Sequence, residues 1–120
     1  MSHIRELSQK LKENEAVLVV SEQNRRYFTA FPSGDAGVLF MTKNKAYFLI
    51  DFRYIEKANE QVKDCEIIMT QNLKDELSEI VKENNITTVY TENDYISLSD
   101  FLKFKEYLSP AILVDDKKFN

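Results

Sequence analysis

The chain has 120 residues, 43% of them hydrophobic and 30% charged, with a net charge of -4 at pH 7; that fits one domain able to bury roughly two-thirds of its unfolded surface. The negative charge opposes nucleic acid and anionic membrane surfaces as partners, and no apolar run is long enough to span a bilayer, so the expected compartment is the cytoplasm. A single cysteine, Cys65, excludes an internal disulfide and a zinc ribbon, and residues 1–15 lack a signal-peptide core.

Ile4, Leu7 and Leu11 form an apolar stripe at helical spacing, on a helix that Ser2 caps and Asn14 is expected to end. His3 precedes that helix, and as the one histidine of the chain it cannot build a familiar catalytic constellation. Ala16 to Val20 is a continuous apolar run, the mark of a strand buried on both faces and central in its sheet. Ser21 offers an N-cap to a short helix carrying Glu22, Asn24, Arg25, Arg26 and Tyr27. The Arg25-Arg26 pair reads as solvated surface, with anion binding as the alternative, and Phe28 and Phe31 read as core anchors, one of which could contact a ligand from the loop rim.

Pro32-Ser33-Gly34-Asp35-Ala36-Gly37 is a loop by its residue chemistry, and it matches neither a dinucleotide fingerprint nor a phosphate-binding loop. Val38 to Met41 and Ala46 to Ile50 are two strands of an antiparallel hairpin, with Asn44 suited to the turn conformation between them. Asp51 then caps a helix marked by Ile55, Ala58 and Val62. Glu66 to Met69 reads as a strand, with Cys65 before it as a small apolar filler. Leu73, Leu77, Ile80 and Val81 mark a helix stopped at Asn84-Asn85, and Thr87 to Tyr90 is a β-branched strand. Ser97 and Asp100 open a final helix through Leu108, Pro110 ends it, and Ala111 to Val114 is the last strand. The succession predicts a three-layer α/β/α domain with a mixed sheet of about six strands.

Catalytic chemistry is hard to assemble from these residues. A carboxylate metal site would begin at Asp51 and need Asp35, Glu56 or Asp94 beside it, and spacing forces none of them together. A receiver-type phosphoacceptor would need an acidic pair after the first strand, where only Glu22 stands. Ser33 has no histidine base within reach. Asp51 and Arg53 are read as an ion pair or cap fixing the strand-to-helix corner, with a second role in which Arg53 and Tyr54 meet a partner's carboxylate or peptide.

The run Asn24-x-x-Tyr27-Phe28-Thr29-Ala30-Phe31, the Gly34/Gly37 loop, Val38-Leu39-Phe40, and Lys45 to Asp51 followed by x-Arg53-Tyr54-x-x-x-Ala58 resembles the N-terminal domain of the creatinase/prolidase family. That family includes the Xaa-Pro aminopeptidases and Xaa-Pro dipeptidases. The family has glycine where Ala30 stands, and its loop after Phe31 differs slightly in length. The resemblance implies a ribonuclease H-like fold of the creatinase N-terminal type over residues 1–120. It also implies that catalysis belongs to a following domain, absent here, holding two divalent ions (Mn, Co or Zn) on two Asp, one His and two Glu. No catalytic or metal residue is then expected in this chain. The implied role is dimer formation and cover for the neighbouring subunit's active site, so the partners would be a second copy, the chain's own catalytic domain and proline-containing peptides. On that analogy Phe31, Pro32, Ser33, Asp35, Arg53 and Tyr54 face the substrate or partner, while Asn24, Tyr27, Gly34, Gly37, Asp51 and Ala58 form the structural motif. The alternative is a stand-alone α/β module that binds a small ligand or a protein.

Overall fold

The computed structural model describes residues 2–32, 37–92 and 96–115. Along the chain run α1 (His3–Ser8), β1 (Glu15–Val19), α2 (Glu22–Thr29), β2 (Val38–Thr42) and β3 (Ala46–Ile50). A 3-10 turn at Phe52–Tyr54 leads into α3 (Ile55–Gln61), followed by β4 (Glu66–Met69), α4 (Leu73–Glu83), β5 (Thr88–Thr91), α5 (Leu98–Leu108) and β6 (Ile112–Asp115). The six strands form one sheet in the order β4-β3-β2-β1-β5-β6. Only β2 runs against the others, pairing antiparallel with β1 and β3, while β3–β4, β1–β5 and β5–β6 pair parallel. The sheet is therefore mixed, with its reversal at the expected hairpin.

Burial explains the layering. All five residues of β1, β2 and β3 are buried, as central strands covered on both faces must be. Alternate side chains then serve two cores. Ala16, Leu18, Phe40, Leu49 and Val89 pack with Leu77, Ile80 and Val81 of α4 and Phe104 and Leu108 of α5. Val17, Val19, Leu39, Met41, Phe48 and Ile50 pack on the opposite face with Ile4 and Leu7 of α1 and Ala58 of α3. The three-layer α/β/α architecture follows from these two apolar faces.

Helix starts fall where short polar side chains cap the first turn. Ser2, Ser21, Asn72 and Ser97 each accept a hydrogen bond from the backbone N–H three residues on. Three expectations fail locally. The α1 helix ends at Ser8 rather than Asn14, because the Lys10 and Leu11 amides turn back onto the Leu7 and Ser8 carbonyls; Leu11 reaches the core from that turn. His3 lies within α1 and stacks on Tyr27, ring centroids 4.1 Å apart. In the β2–β3 turn Asn44 does not take a left-handed conformation. Thr42 closes that turn instead, its hydroxyl donating to the Lys45 carbonyl at 2.6 Å and accepting from the Lys45 amide at 3.0 Å.

Candidate functional site at the carboxyl ends of the strands

Five of the six strands point the same way, so the segments leaving β1 and β3 emerge at one end of the sheet, beside the start of β2. In open α/β sheets this end is where ligands are held. Among the described residues there, the corner after β3 carries an exposed ion pair. Asp51 leaves the sheet in extended conformation and accepts the Arg53 amide at 2.9 Å, which caps the 3-10 turn. The Arg53 guanidinium folds back onto the same carboxylate, Nη2 donating to Oδ2 at 2.7 Å and Nε lying 3.2 Å from both oxygens. That hydrogen-bonded contact holds the Asp51 carboxyl below its ordinary value and raises Arg53. The Arg53 side chain nevertheless remains 63% exposed. The guanidinium is thus paired and fixed in direction by Asp51 while much of its side chain stays in solvent.

Tyr54 ties the corner to the core. Arg53 stands 5.4 Å from the Tyr54 ring centroid, Tyr54 meets Phe31 edge-on at 6.4 Å, and Phe31 meets Phe48 at 6.2 Å. The structure thus brings Phe31 to Arg53 and Tyr54, 22 and 23 positions further along the sequence. Phe31 itself is only 3% exposed; among the substrate-facing candidates it is a buried support, while the next residue, Pro32, is exposed. Ser33, Gly34 and Asp35 lie outside the described residues.

The structural-motif residues have distinct physical tasks. Ala58 is fully buried and lets α3 close onto the sheet. Gly37 has φ +105°, and a Cβ there would stand 2.8 Å from Phe48 Cε1, so both the backbone and the space require glycine. Ala30 occupies a left-handed position, φ 58°, at the C-terminus of α2, a conformation that glycine adopts at no steric cost. Tyr27 is 56% exposed and packs on His3 rather than on the core.

Asn24 leads to a residue that sequence reasoning passed over. Glu92, 3% exposed, follows β5 and receives the Val20 amide at 2.7 Å, the Ser21 amide at 3.1 Å and the Asn24 side-chain amide at 2.9 Å. The Ser21 hydroxyl also donates to it. One buried carboxylate therefore joins β5 to the β1–α2 turn, and a lone acid after a β-branched strand gives no sequence signal for that. Arg25 needs the opposite correction, since it is 2% exposed instead of solvated. Its Nε donates to the Val20 carbonyl at 3.0 Å, and it helps line a pocket of about 490 Å3 with Val20, Leu49, Thr70, Lys103 and Phe104.

Metal chemistry does not fit the residues described. No group of three or more His, Cys, Asp or Glu among them is placed to hold an ion. Asp51 is engaged by Arg53, Glu22 lies 4.0 Å from Arg26, and Asp35 and Asp94 lie outside the described residues. Cys65 is a partly buried free thiol packed against the second core, its pKa pushed up to about 12 by burial. No helix among the described residues is long and apolar enough to cross a membrane.

The comparisons converge on one family. The chain matches the Creatinase/Prolidase N-terminal domain over residues 3–118. It is 33% identical over 101 residues to the uncharacterized peptidase YqhT of Bacillus subtilis, covering 83% of this chain and 28% of that protein. It superposes on the Xaa-Pro dipeptidase from Bacillus anthracis with TM-score 0.80 and 32% identity, covering 92% of this chain and 32% of that one. The N-terminal domain of cytoplasmic peptidase PepQ from Mycobacterium tuberculosis shares the fold at 20% identity and TM-score 0.76, covering 92% of this chain and 89% of that one. The chain spans between a quarter and a third of the longer two relatives. Its six-stranded mixed sheet, its Asp51–Arg53 corner and a match that runs almost end to end lead to one assignment: the chain belongs to the creatinase/prolidase N-terminal domain family of the Xaa-Pro peptidases.

Proposed function

We propose that this chain is the non-catalytic N-terminal domain of a metal-dependent Xaa-Pro aminopeptidase or dipeptidase, acting in dimer formation and in substrate access at the neighbouring subunit's active site. The observation that carries the reading is family membership over residues 3–118, joined to an Arg53 guanidinium held outward on Asp51 beside the Phe31–Tyr54 contact. A guanidinium fixed in direction is suited to a peptide carboxylate. The two divalent ions belong to the following catalytic domain in this reading, and the place of work is the cytoplasm.

The test has two parts. A reading frame continuing past residue 120 into a domain with two Asp, one His and two Glu ligands is required; a stop codon would refute the reading. In the enzyme so encoded, Arg53→Ala is expected to raise KM about tenfold or more with little change in kcat, as loss of substrate capture does. Unchanged kinetics would remove Arg53 from that role.

The second reading, a stand-alone binding module, draws on the 490 Å3 pocket beside Arg25, at the sheet end where α/β domains take ligands. Small-molecule binding that is lost in Lys103→Glu would favour it.

A further inference from the structure

The pocket beside Arg25 lies where β1, β3 and β4 end, and its volume of about 490 Å3 falls in the range of small-molecule sites. Two kinds of wall meet there. Val38, Leu49, Leu73 and Phe104 give it an apolar side, continuous with the core beneath α4 and α5. The remainder is charged and evenly divided in sign, with Glu22 and Arg25 from α2 and Asp100 and Lys103 from α5. An anion alone would meet carboxylates here and a cation alone would meet bases, so a ligand of one sign is disfavoured. Ser21 and Thr70 also line the pocket, and their hydroxyls already donate to Glu92 and Glu76. Toward a ligand those two oxygens can only accept, which suits a group rich in N–H.

We infer that this pocket binds a free α-amino acid with an apolar side chain, its charged head held by Asp100 and Lys103. The Asp100 carboxylate and the Lys103 ammonium stand 3.8 Å apart, one turn apart on α5. An α-amino acid keeps its own ammonium and carboxylate about 3 Å apart through the bond angle at Cα. Laid antiparallel on the protein pair, the ligand's ammonium meets Asp100 and its carboxylate meets Lys103, so each charge gains an opposite partner. The protein pair is half-exposed and longer than a close hydrogen bond, and turning it toward a ligand costs little. Lys103 is kept at the pocket wall, its Nζ 4.8 Å from the centroid of the Phe104 ring. The ligand's side chain then lies against Val38, Leu49 and Leu73. The inference rests on the pocket of the second reading as a small-molecule site, and not on whether a catalytic domain follows.

Titration of L-leucine into this chain, followed by calorimetry and by amide chemical shifts, is expected to give saturable binding with a Kd of about a millimolar or tighter. N-acetyl-L-leucine lacks the ammonium, L-leucinamide the carboxylate and glycine the side chain, and each should bind about tenfold more weakly or worse. Lys103→Glu and Asp100→Asn should each weaken leucine binding by about tenfold, while Lys105→Glu, the same charge change outside the pocket, should leave it within about twofold. Lys103→Met reads the same contact if Lys103→Glu does not fold by circular dichroism. Absence of leucine binding, or binding indifferent to Lys103 and Asp100, overturns the inference. N-acetyl-L-leucine or L-leucinamide binding as tightly as leucine overturns the amino-acid assignment and leaves the pocket a small-molecule site. The stand-alone reading is decided separately, by the reading frame past residue 120.

Discussion

Glu92 shows what a single buried carboxylate does in this fold. Its oxygens collect donors from Val20, Ser21 and Asn24, and all of them lose their acceptor together if the carboxylate is removed. Glu92→Ala is expected to destabilise the domain by ~2–4 kcal/mol, since buried donors left unsatisfied cost more than a hydrogen bond contributes net. Urea unfolding checks this, and an effect under ~1 kcal/mol would mean that water replaces the carboxylate there. Cys65 gives a pH signature. Its folded pKa of about 12 stands above the ordinary value of 9.0, so above pH 9 the unfolded chain releases a proton that the folded chain retains. Stability therefore falls as pH rises from about 9 towards 12, by up to ~1.4 kcal/mol per pH unit from this group. Cys65→Val should flatten that part of the profile relative to wild type. Asp51 works at the other end of the scale, where its lowered pKa means that the Arg53 contact contributes above the ordinary value of 3.8 and is lost as pH falls. Asp51→Asn should make the unfolding midpoint less sensitive to acid below pH 4.

At the scale of elements, the α2–β2 connection is held by two backbone positions with positive φ. Gly37 has no room for a methyl group against Phe48, so Gly37→Ala is expected to cost ~2–4 kcal/mol from backbone strain and overpacking together. Ala30 presents the reverse case. Its left-handed backbone at φ 58° is strained for any residue with a Cβ, and Ala30→Gly should stabilise the domain by ~0.5–1 kcal/mol after the added flexibility of the unfolded chain is subtracted. A thermal midpoint raised by a few degrees would show it; a lowered midpoint would mean that the strain is relieved elsewhere. The family glycine at this position is explained by the same geometry. The resemblance located the position, and the dihedral angle supplies the reason.

For the whole molecule, the functional reading makes catalysis a property of a longer protein. The purified chain with added manganese or cobalt is expected to show no hydrolysis of Xaa-Pro peptides, and robust turnover would contradict that division of labour. The fold has no need of such a neighbour for its core: two apolar clusters sandwich the sheet, and every buried side-chain polar atom among the described residues has a partner. A polar network satisfied in this way specifies one arrangement rather than several. The domain should therefore unfold cooperatively on its own, with coincident far-ultraviolet and near-ultraviolet transitions.

The order of strands and helices, the hairpin at β2–β3, the caps at Ser21 and Asp51 and the amphipathic faces of α4 and α5 were legible in the chain itself. Each of those features is set within a few residues, by side-chain periodicity and by local competition for backbone hydrogen bonds. The family resemblance was legible too, because Asn24, Asp51, Arg53 and Ala58 stand in one continuous stretch of the sequence. Burial at long range was not. Arg25 looked solvated and lies in the interior, Phe31, a core anchor by its residue chemistry and substrate-facing only by the family analogy, is buried against Tyr54, and Glu92 gave no signal although it joins segments more than 65 positions apart. Sequence determined which elements form, since that depends on neighbours along the chain. Tertiary structure alone decided which polar groups were taken out of water and paired, because a buried charge is stable only where folding brings distant donors to it.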